Sequence, residues 1–503
     1  MAVETEQVTN EYKDILNGPG DMPQGQTLTH AQRTAKNSAL LIIQPLILNI
    51  VSIFVTAYIA RTLGMGDYGR FTFAIAFVGM FLPFINVGLR TITVREIAEN
   101  RNTLSTFLGR MVALRVFLAV IAIVTIFLGI NILGYPQTTK NIVYIFSATI
   151  LFGAISSTFI DTFQAYEKME YVAWTQFAAG AILTLLSVVV LYLGYRLMGL
   201  MLIYTFGSFL TLVFAFWYLS RKFTVPKIAV DLRFWKENLH KGAPFFYPAL
   251  VATIGGRMGI IILSKIAGDA SVGIYGAASM LVDRLMVIPD GIGTAIFPTM
   301  AHLHKNSKEE AVSIFRRFFL YLVLLGLPIA LGITILAGPI INLMYGAEYK
   351  SATPVLQFLA WWLFFSFLTY IQSLALGAIH REKEAAKIRL GTAIFGVVLN
   401  FIFIIWLGVI GLAISSVATA LIYCALLSRP IKKYLVKDLL NLKIFVKIIV
   451  ANMVMAIFVA LTLKYNVFLP IAAGAVSYAS IIVFLGVARH AELNKLVKSI
   501  IKR

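Results

Sequence analysis

Arg257, the adjacent pair Asp283-Arg284 and Asp290 stand inside long apolar stretches of a 503-residue chain. Ionised side chains are costly to bury there, so each is a candidate for chemistry rather than for solvation. A guanidinium keeps its charge when desolvated and offers a planar fork matched to phosphate or carboxylate oxygens, which makes Arg257 and Arg284 candidates for binding an anionic group. Asp283 and Asp290 are candidates for holding Na⁺ or a proton, and so for coupling to an ion gradient. The structural alternative is that Arg257 pairs with Asp283 or Asp290 and locks helix packing. Arg90 and Arg115 are further candidates for anion contact, but they lie near the ends of their apolar runs, where a long side chain snorkels to the interface. Four prolines, Pro45, Pro83, Pro248 and Pro289, interrupt the same stretches. A missing N–H breaks the helical ladder and exposes carbonyls, so these are candidate kink and gating positions. Pro289-Asp290-Gly291 and Gly255-Gly256-Arg257 combine both signals.

The elements that must carry these residues follow from composition. The chain is 59% hydrophobic and 13% charged, about half the charge usual for a soluble domain. An ordinary soluble protein is therefore excluded. At about 20 residues per span, the apolar stock supports up to roughly fourteen membrane helices, and the charge-bounded runs resolve into fourteen. The fold expected is an all-α polytopic membrane protein. Residues 1–37 read as a polar cytoplasmic tail, 38–220 as spans one to six, 221–242 as an amphipathic cytoplasmic linker, and 243–428 as spans seven to twelve. A basic cytoplasmic linker at 429–443, spans thirteen and fourteen at 444–489 and a basic cytoplasmic tail at 490–503 complete the reading. The formal net charge of +20 does not imply nucleic acid, because the 43 Lys and Arg recur in short clusters at every second connection. Positive residues accumulate on cytoplasmic loops, which places both termini inside a plasma membrane. Only Arg61, Arg70, Lys140, Arg196, Lys265, Lys350 and Lys464 fall on the external set.

The six-six-two division predicts an internal repeat. Ile59-Ala60, five residues, then Gly66-Asp67-Tyr68-Gly69 recurs as Ile266-Ala267, five residues, then Gly273-Ile274-Tyr275-Gly276. Each half has an even number of spans, so the halves enter the bilayer in the same orientation, a parallel pseudo-repeat of two six-helix lobes plus two C-terminal helices. Pro45 and Pro83 roughly match Pro248 and Pro289 in the second half. The expected cavity is lined by spans one, two, seven and eight.

Other residues carry simpler readings. The glycines of the repeat, with Arg61, Asp67, Arg70 and Asp269, suit tight external connections. Trp361-Trp362 and Trp406 suit packing within spans rather than sugar stacking. One cysteine, Cys424, excludes an intrachain disulfide. His302, His304 and His380 have no metal-binding spacing, and no Gly-rich loop with Lys and Ser or Thr provides for nucleotide hydrolysis. No metal and no cofactor is expected beyond a coupling ion, Na⁺ or H⁺. The connections are too short for a soluble catalytic module, so a non-enzymatic membrane function is expected.

Arg61-Thr62-Leu63-Gly64 followed by Asp67-Tyr68-Gly69, with Arg95-Glu96-Ile97-Ala98 and Gln164-Ala165-Tyr166-Glu167-Lys168, resembles the polysaccharide-export branch of the multidrug/oligosaccharidyl-lipid/polysaccharide flippase superfamily. The resemblance covers residues 38–489 and implies an alternating-access flippase. Its cargo would be a polyprenyl-phosphate- or pyrophosphate-linked oligosaccharide, carried from the cytoplasmic to the outer leaflet for cell-surface glycan assembly. On this reading Arg257 and Arg284 contact phosphate or acidic sugars, Asp283 and Asp290 tune or couple, and spans thirteen and fourteen accommodate the lipid tail. Its partners are the bilayer, the lipid-linked cargo and polysaccharide-assembly proteins. Two alternatives stand beside it: a cation-coupled multidrug antiporter of the same superfamily, whose cavity should be anionic, and a membrane glycosyltransferase or polymerase, which should carry clustered external acids. The external acids here are Asp67, Asp269 and Glu348, scattered along the chain.

Overall fold

The structure is a computed structural model that describes residues 30–99, 103–436 and 442–487. Most of residues 1–37, all of 490–503 and part of the linker at 429–443 lie outside the described residues; for residues 30–50 only the backbone course is described. The described chain is all-helical. In order the helices are α1 His30–Gly79, α2 Leu82–Asn86, α3 Leu89–Glu99, α4 Leu104–Ile132, α5 Gln137–Ala165, α6 Met169–Tyr192 and α7 Arg196–Lys222. They continue as α8 Leu232–Asp283, α9 Val287–Asn306, α10 Lys308–Tyr345, α11 Ala352–Ala378, α12 Glu382–Tyr434, α13 Leu442–Thr462 and α14 Phe468–Phe484. Among the described residues 10 helical stretches are long and apolar enough to cross a membrane. The chain is a multi-span membrane protein.

Three helices are more than twice as long as the hydrocarbon core is thick and carry a glycine break. α1, α8 and α12 run for 50, 52 and 53 residues, about 75 to 80 Å if straight against a hydrocarbon core of about 30 Å. Each is broken by one glycine in a conformation that a side chain would oppose: Gly64 (φ 73°), Gly268 (φ 80°) and Gly408 (φ 58°). At Gly408 the chain doubles back. Ser415 Oγ donates to Asn400 Oδ1 at 2.5 Å, although the two would stand about 22 Å apart along a straight helix. Gly396 likewise packs beside Thr419.

Proline sets a second kind of break. Its ring clashes with the carbonyl four residues back, which for Pro83 is Gly79, the last residue of α1; the chain turns through Met80 and Phe81 and restarts as α2. For Pro289 that carbonyl belongs to Leu285, and the corresponding stretch is a 3₁₀ turn, Arg284–Met286, between α8 and α9. Pro248 lies inside α8, which stays helical around it. Pro45 falls within α1, among the residues described by backbone alone.

Helices pack chiefly within their own half of the chain. α4 to α7 form one set, α10 to α12 with α8 another, and α1 against α8 joins the halves. α13 and α14 pair with each other and lean on α10, where Tyr478 Oη donates to the Leu324 carbonyl at 2.9 Å.

The linker at 221–242 is not a free amphipathic segment. Residues 224–231 run extended along the start of α4: the Lys227 amide donates to the Ser105 carbonyl and Ser105 Oγ to the Val225 carbonyl. Asp231 then caps α8 through the Phe234 amide and pairs with Arg110 at 3.3 Å. Phe234 and Trp235 turn inward onto Phe107 and Phe117, while Val225, Ile228 and Val230 stay exposed. The helix that carries span seven therefore begins at Leu232, well before the expected edge at 243, because Asp231 supplies the N-cap.

Candidate functional site

A cavity of about 690 Å³ opens in the second half of the molecule. The small residues Val251, Ala252, Gly255 and Gly256 of α8 make room on one side, and nothing lies within 4 Å of where a Cβ on Gly256 would stand. α11 contributes Trp362, Ser366, Thr369, Tyr370 and Ser373; α12 contributes Thr392, Asn400, Ser416, Thr419 and Tyr423. Tyr275 and Ser279, on the second arm of α8, border its inner part, where the Tyr275 hydroxyl lies 3.4 Å from Ser416 Oγ. The Ser373 and Tyr423 hydroxyls meet at 3.1 Å. Arg389 and Gly377 mark the end nearer the basic connections. The lining thus mixes alcohols, phenols, an amide and an indole, groups that donate and accept hydrogen bonds or present a flat face, with apolar side chains such as Ile260, Met286, Phe297, Leu359 and Leu374. Its charges are Asp283 and Arg389.

The expected spans seven and eight both line this cavity. Among the described residues spans one and two give it no wall, because α1 and α8 meet backbone to backbone. A Cβ on Gly69 would run into the Asp269 carbonyl, one on Gly273 into the Met65 carbonyl, and one on Gly276 into Thr72. Gly69, Gly273 and Gly276 of the repeat therefore serve helix crossing, Gly66 has open space around it, and Gly64 and Gly268 do the turning. Trp361 packs on Phe364, whereas Trp362 lines the cavity, contrary to the packing role expected of both.

The charged candidates fall in distinct places. Asp283 opens onto the cavity. Arg284, the next residue, is half-buried and lies within electrostatic reach of Tyr68 and Tyr204 of the first half. Consecutive residues thus address the cavity and the seam between halves. Arg257 also faces the seam, on the side of α8 away from the cavity glycines, and its Nη1 donates to the Ile75 carbonyl at 3.0 Å. Asp283 lies within electrostatic reach of it, but among the described residues no carboxylate stands at ion-pair distance from Arg257. Asp290 is exposed at the start of α9 and lies within electrostatic reach of Tyr370 on the cavity wall.

Arg115 does not snorkel. It is 0% exposed, with Nη2 2.6 Å from Asp161 Oδ2 and Nη1 donating to Ser157 Oγ at 2.6 Å. The other Asp161 oxygen faces Arg90 Nε at 3.8 Å, and Arg90 Nη2 donates to Gln164 Oε1 at 3.1 Å. Arg90 remains largely exposed. Sequence reasoning missed Asp161, although Ser157, Asp161 and Gln164 share one helical face by their spacing. It also missed Arg389 as a cavity residue.

At the opposite end the halves are stitched together. Arg70 bridges Asp67 at 3.0 Å and Asp269 at 2.9 Å, and Arg196 approaches Asp67 at 3.9 Å. Arg61 donates to the Leu343 and Met344 carbonyls, and Tyr349 Oη to the Ala60 carbonyl at 2.9 Å.

Residues 34–304, which run from α1 through the seam to α9, match the family described as "Polysaccharide biosynthesis protein". The chain belongs to this family. A second match, to the family described as MatE, spans residues 249–406 and so the cavity-bearing half. Among curated relatives, a putative O-antigen transporter of Escherichia coli K12 is 22% identical over 375 residues, covering 74% of this chain and 90% of the relative. Among solved structures, the lipid II flippase MurJ in an inward closed conformation superposes with a TM-score of 0.73 at 17% identity, covering 88% of this chain and 98% of that one. An inward-facing multidrug resistance MATE transporter of the MOP superfamily gives 0.61 at 15% identity, covering 78% and 98%. These likenesses establish that this member of the polysaccharide biosynthesis family has the MurJ- and MATE-like fold.

Proposed function

We propose that the chain flips a polyprenyl-phosphate- or pyrophosphate-linked oligosaccharide from the cytoplasmic to the outer leaflet by alternating access, supplying cell-surface glycan assembly. The observation that carries this reading is the cavity lining, whose hydroxyl, amide and indole groups suit sugar rings better than a purely apolar cargo. The helices form fourteen passes, two six-helix lobes in parallel repeat and a C-terminal pair, with both termini cytoplasmic in the plasma membrane. The end stitched by Arg70, Asp67 and Asp269 is then the external one, and the chain stands closed to the outside.

The glycan enters the cavity in the second lobe, while Arg257 and Arg284 take the phosphate at the seam. Asp283 and Asp290 bind the coupling ion, Na⁺ or H⁺. Arg90 and Arg115 differ in what remains available to them: Arg115 is committed to Asp161, and the exposed Arg90 keeps donors for an anion. α13 and α14 flank the lipid tail. Replacing Arg257 or Arg284 with Ala should abolish surface-glycan export while the protein stays in the membrane; undiminished export would remove both from the anion site.

One observation favours a second reading. The MatE match spans the cavity-bearing half, and the cavity displays the Asp283 carboxylate, as a cation-exporting antiporter would require. Efflux of an organic cation that depends on Asp283 would support it.

A further inference from the structure

Arg257 does more in this structure than present a charge. Its guanidinium rests directly on the backbone of α1: a Cβ on Gly79 would stand 2.5 Å from Nη1, 2.6 Å from Cζ and 3.0 Å from Nη2. Gly79 is therefore a seat, the one residue type that lets the fork approach the Ile75 carbonyl. The seat is at the last residue of α1, directly before the turn at Met80 and Phe81 imposed by Pro83. Beyond it the same two chain segments stay together: Phe84 packs on Phe246, Gly88 fits against Gly242, and Glu96 pairs with Lys241 at 2.8 Å. Arg257 thus pins the seam between the glycine crossing at Gly69, Gly273 and Gly276 and the stretch that runs on to Lys241.

The partner it holds is weak for such a donor. A guanidinium has five N–H groups, and Arg257 gives one of them to a neutral carbonyl. A phosphate oxygen is a stronger acceptor and takes two donors of the fork at once.

We propose that Arg257 is a latch between the two lobes, released when an anionic phosphate of the cargo draws the guanidinium off the Ile75 carbonyl. This rests on the reading that the cargo carries a phosphate. Release removes the interlobe bond at the proline-broken point of α1, where the helix is already free to bend. Anion binding and separation of the lobes become one event, and an uncharged lipid leaves the seam shut.

The test labels Thr91→Cys on α3 and His240→Cys on α8 in a Cys424→Ser background and measures their distance distribution by electron double resonance in nanodiscs. Farnesyl pyrophosphate should raise the ratio of separated to closed molecules about tenfold, the loss expected for one charge-assisted hydrogen bond, and farnesol should leave it unchanged. Gly79→Ala, which unseats the guanidinium without removing its charge, should separate the helices with no ligand. Arg257→Gln should do the same and then ignore farnesyl pyrophosphate. The latch is overturned if both variants keep the parent distribution without ligand, if the parent responds equally to farnesol, or if Arg257→Gln keeps the full response. A parent that responds to farnesyl pyrophosphate but moves no lipid-linked glycan in vesicles would sink the flippase reading and leave the latch standing.

Discussion

Asp161 holds two arginines with its two oxygens, and the cost of disturbing it is unequal on the two sides. Arg115 is fully buried against it while Arg90 is 66% exposed. Removing Arg115 leaves a buried carboxylate without its main counter-charge, a loss of about 3 to 5 kcal/mol; removing Arg90 costs little, because an exposed ion pair contributes at most about 1 kcal/mol. Arg115→Ala should therefore lower the thermal transition of the detergent-solubilised protein sharply and Arg90→Ala hardly at all, read by size exclusion after heating. Equal effects would contradict the assigned network. The depth of each charged residue could be read along its apolar run, but its direction could not. Arg115 turns to α5, Arg257 and Arg284 to the seam, and Asp283 to the cavity, and only packing decides those azimuths.

At the scale of helices, backbone chemistry was more legible than contacts. Proline's missing N–H and bulky ring make a break before Pro83 and Pro289 derivable from residue type, whereas Pro248 shows that a helix held by its neighbours stays helical through the same residue. The glycine recurrence was visible as spacing, but its members differ in what they do. Gly66 has open space around its Cβ position, while Gly69 lies against the Asp269 backbone. Gly66→Ala should leave the melting temperature unchanged, and Gly69→Ala should lower it and reduce the folded yield. Gly408→Ala should cost about 1 to 3 kcal/mol, the penalty of a side chain in positive-φ backbone that glycine alone adopts readily, which a thermal scan resolves. A destabilised Gly66→Ala would contradict the crossing geometry.

For the whole molecule, composition revealed a polytopic helical membrane protein, and the motifs around Arg61 and Asp67 revealed the family. The cavity was half legible: spans seven and eight line it as expected, while the closing of the seam to spans one and two depends on backbone approach at Gly69 and Gly273 rather than on any polar pattern. The closure at the Arg70 end also has a consequence. Arg70→Ala should speed labelling of Ser279→Cys by a membrane-impermeant thiol reagent added from outside, several-fold over a Cys424→Ser parent; no change would mean that the ion cluster does not seal that end. The most direct measurement is leaflet translocation of a labelled polyprenyl-pyrophosphate oligosaccharide in proteoliposomes, with and without Na⁺ and pH gradients. The expected result is translocation that responds to one of the gradients and is lost in Arg284→Ala, whereas a parent that leaves this lipid in place but exports an organic cation would contradict the flippase.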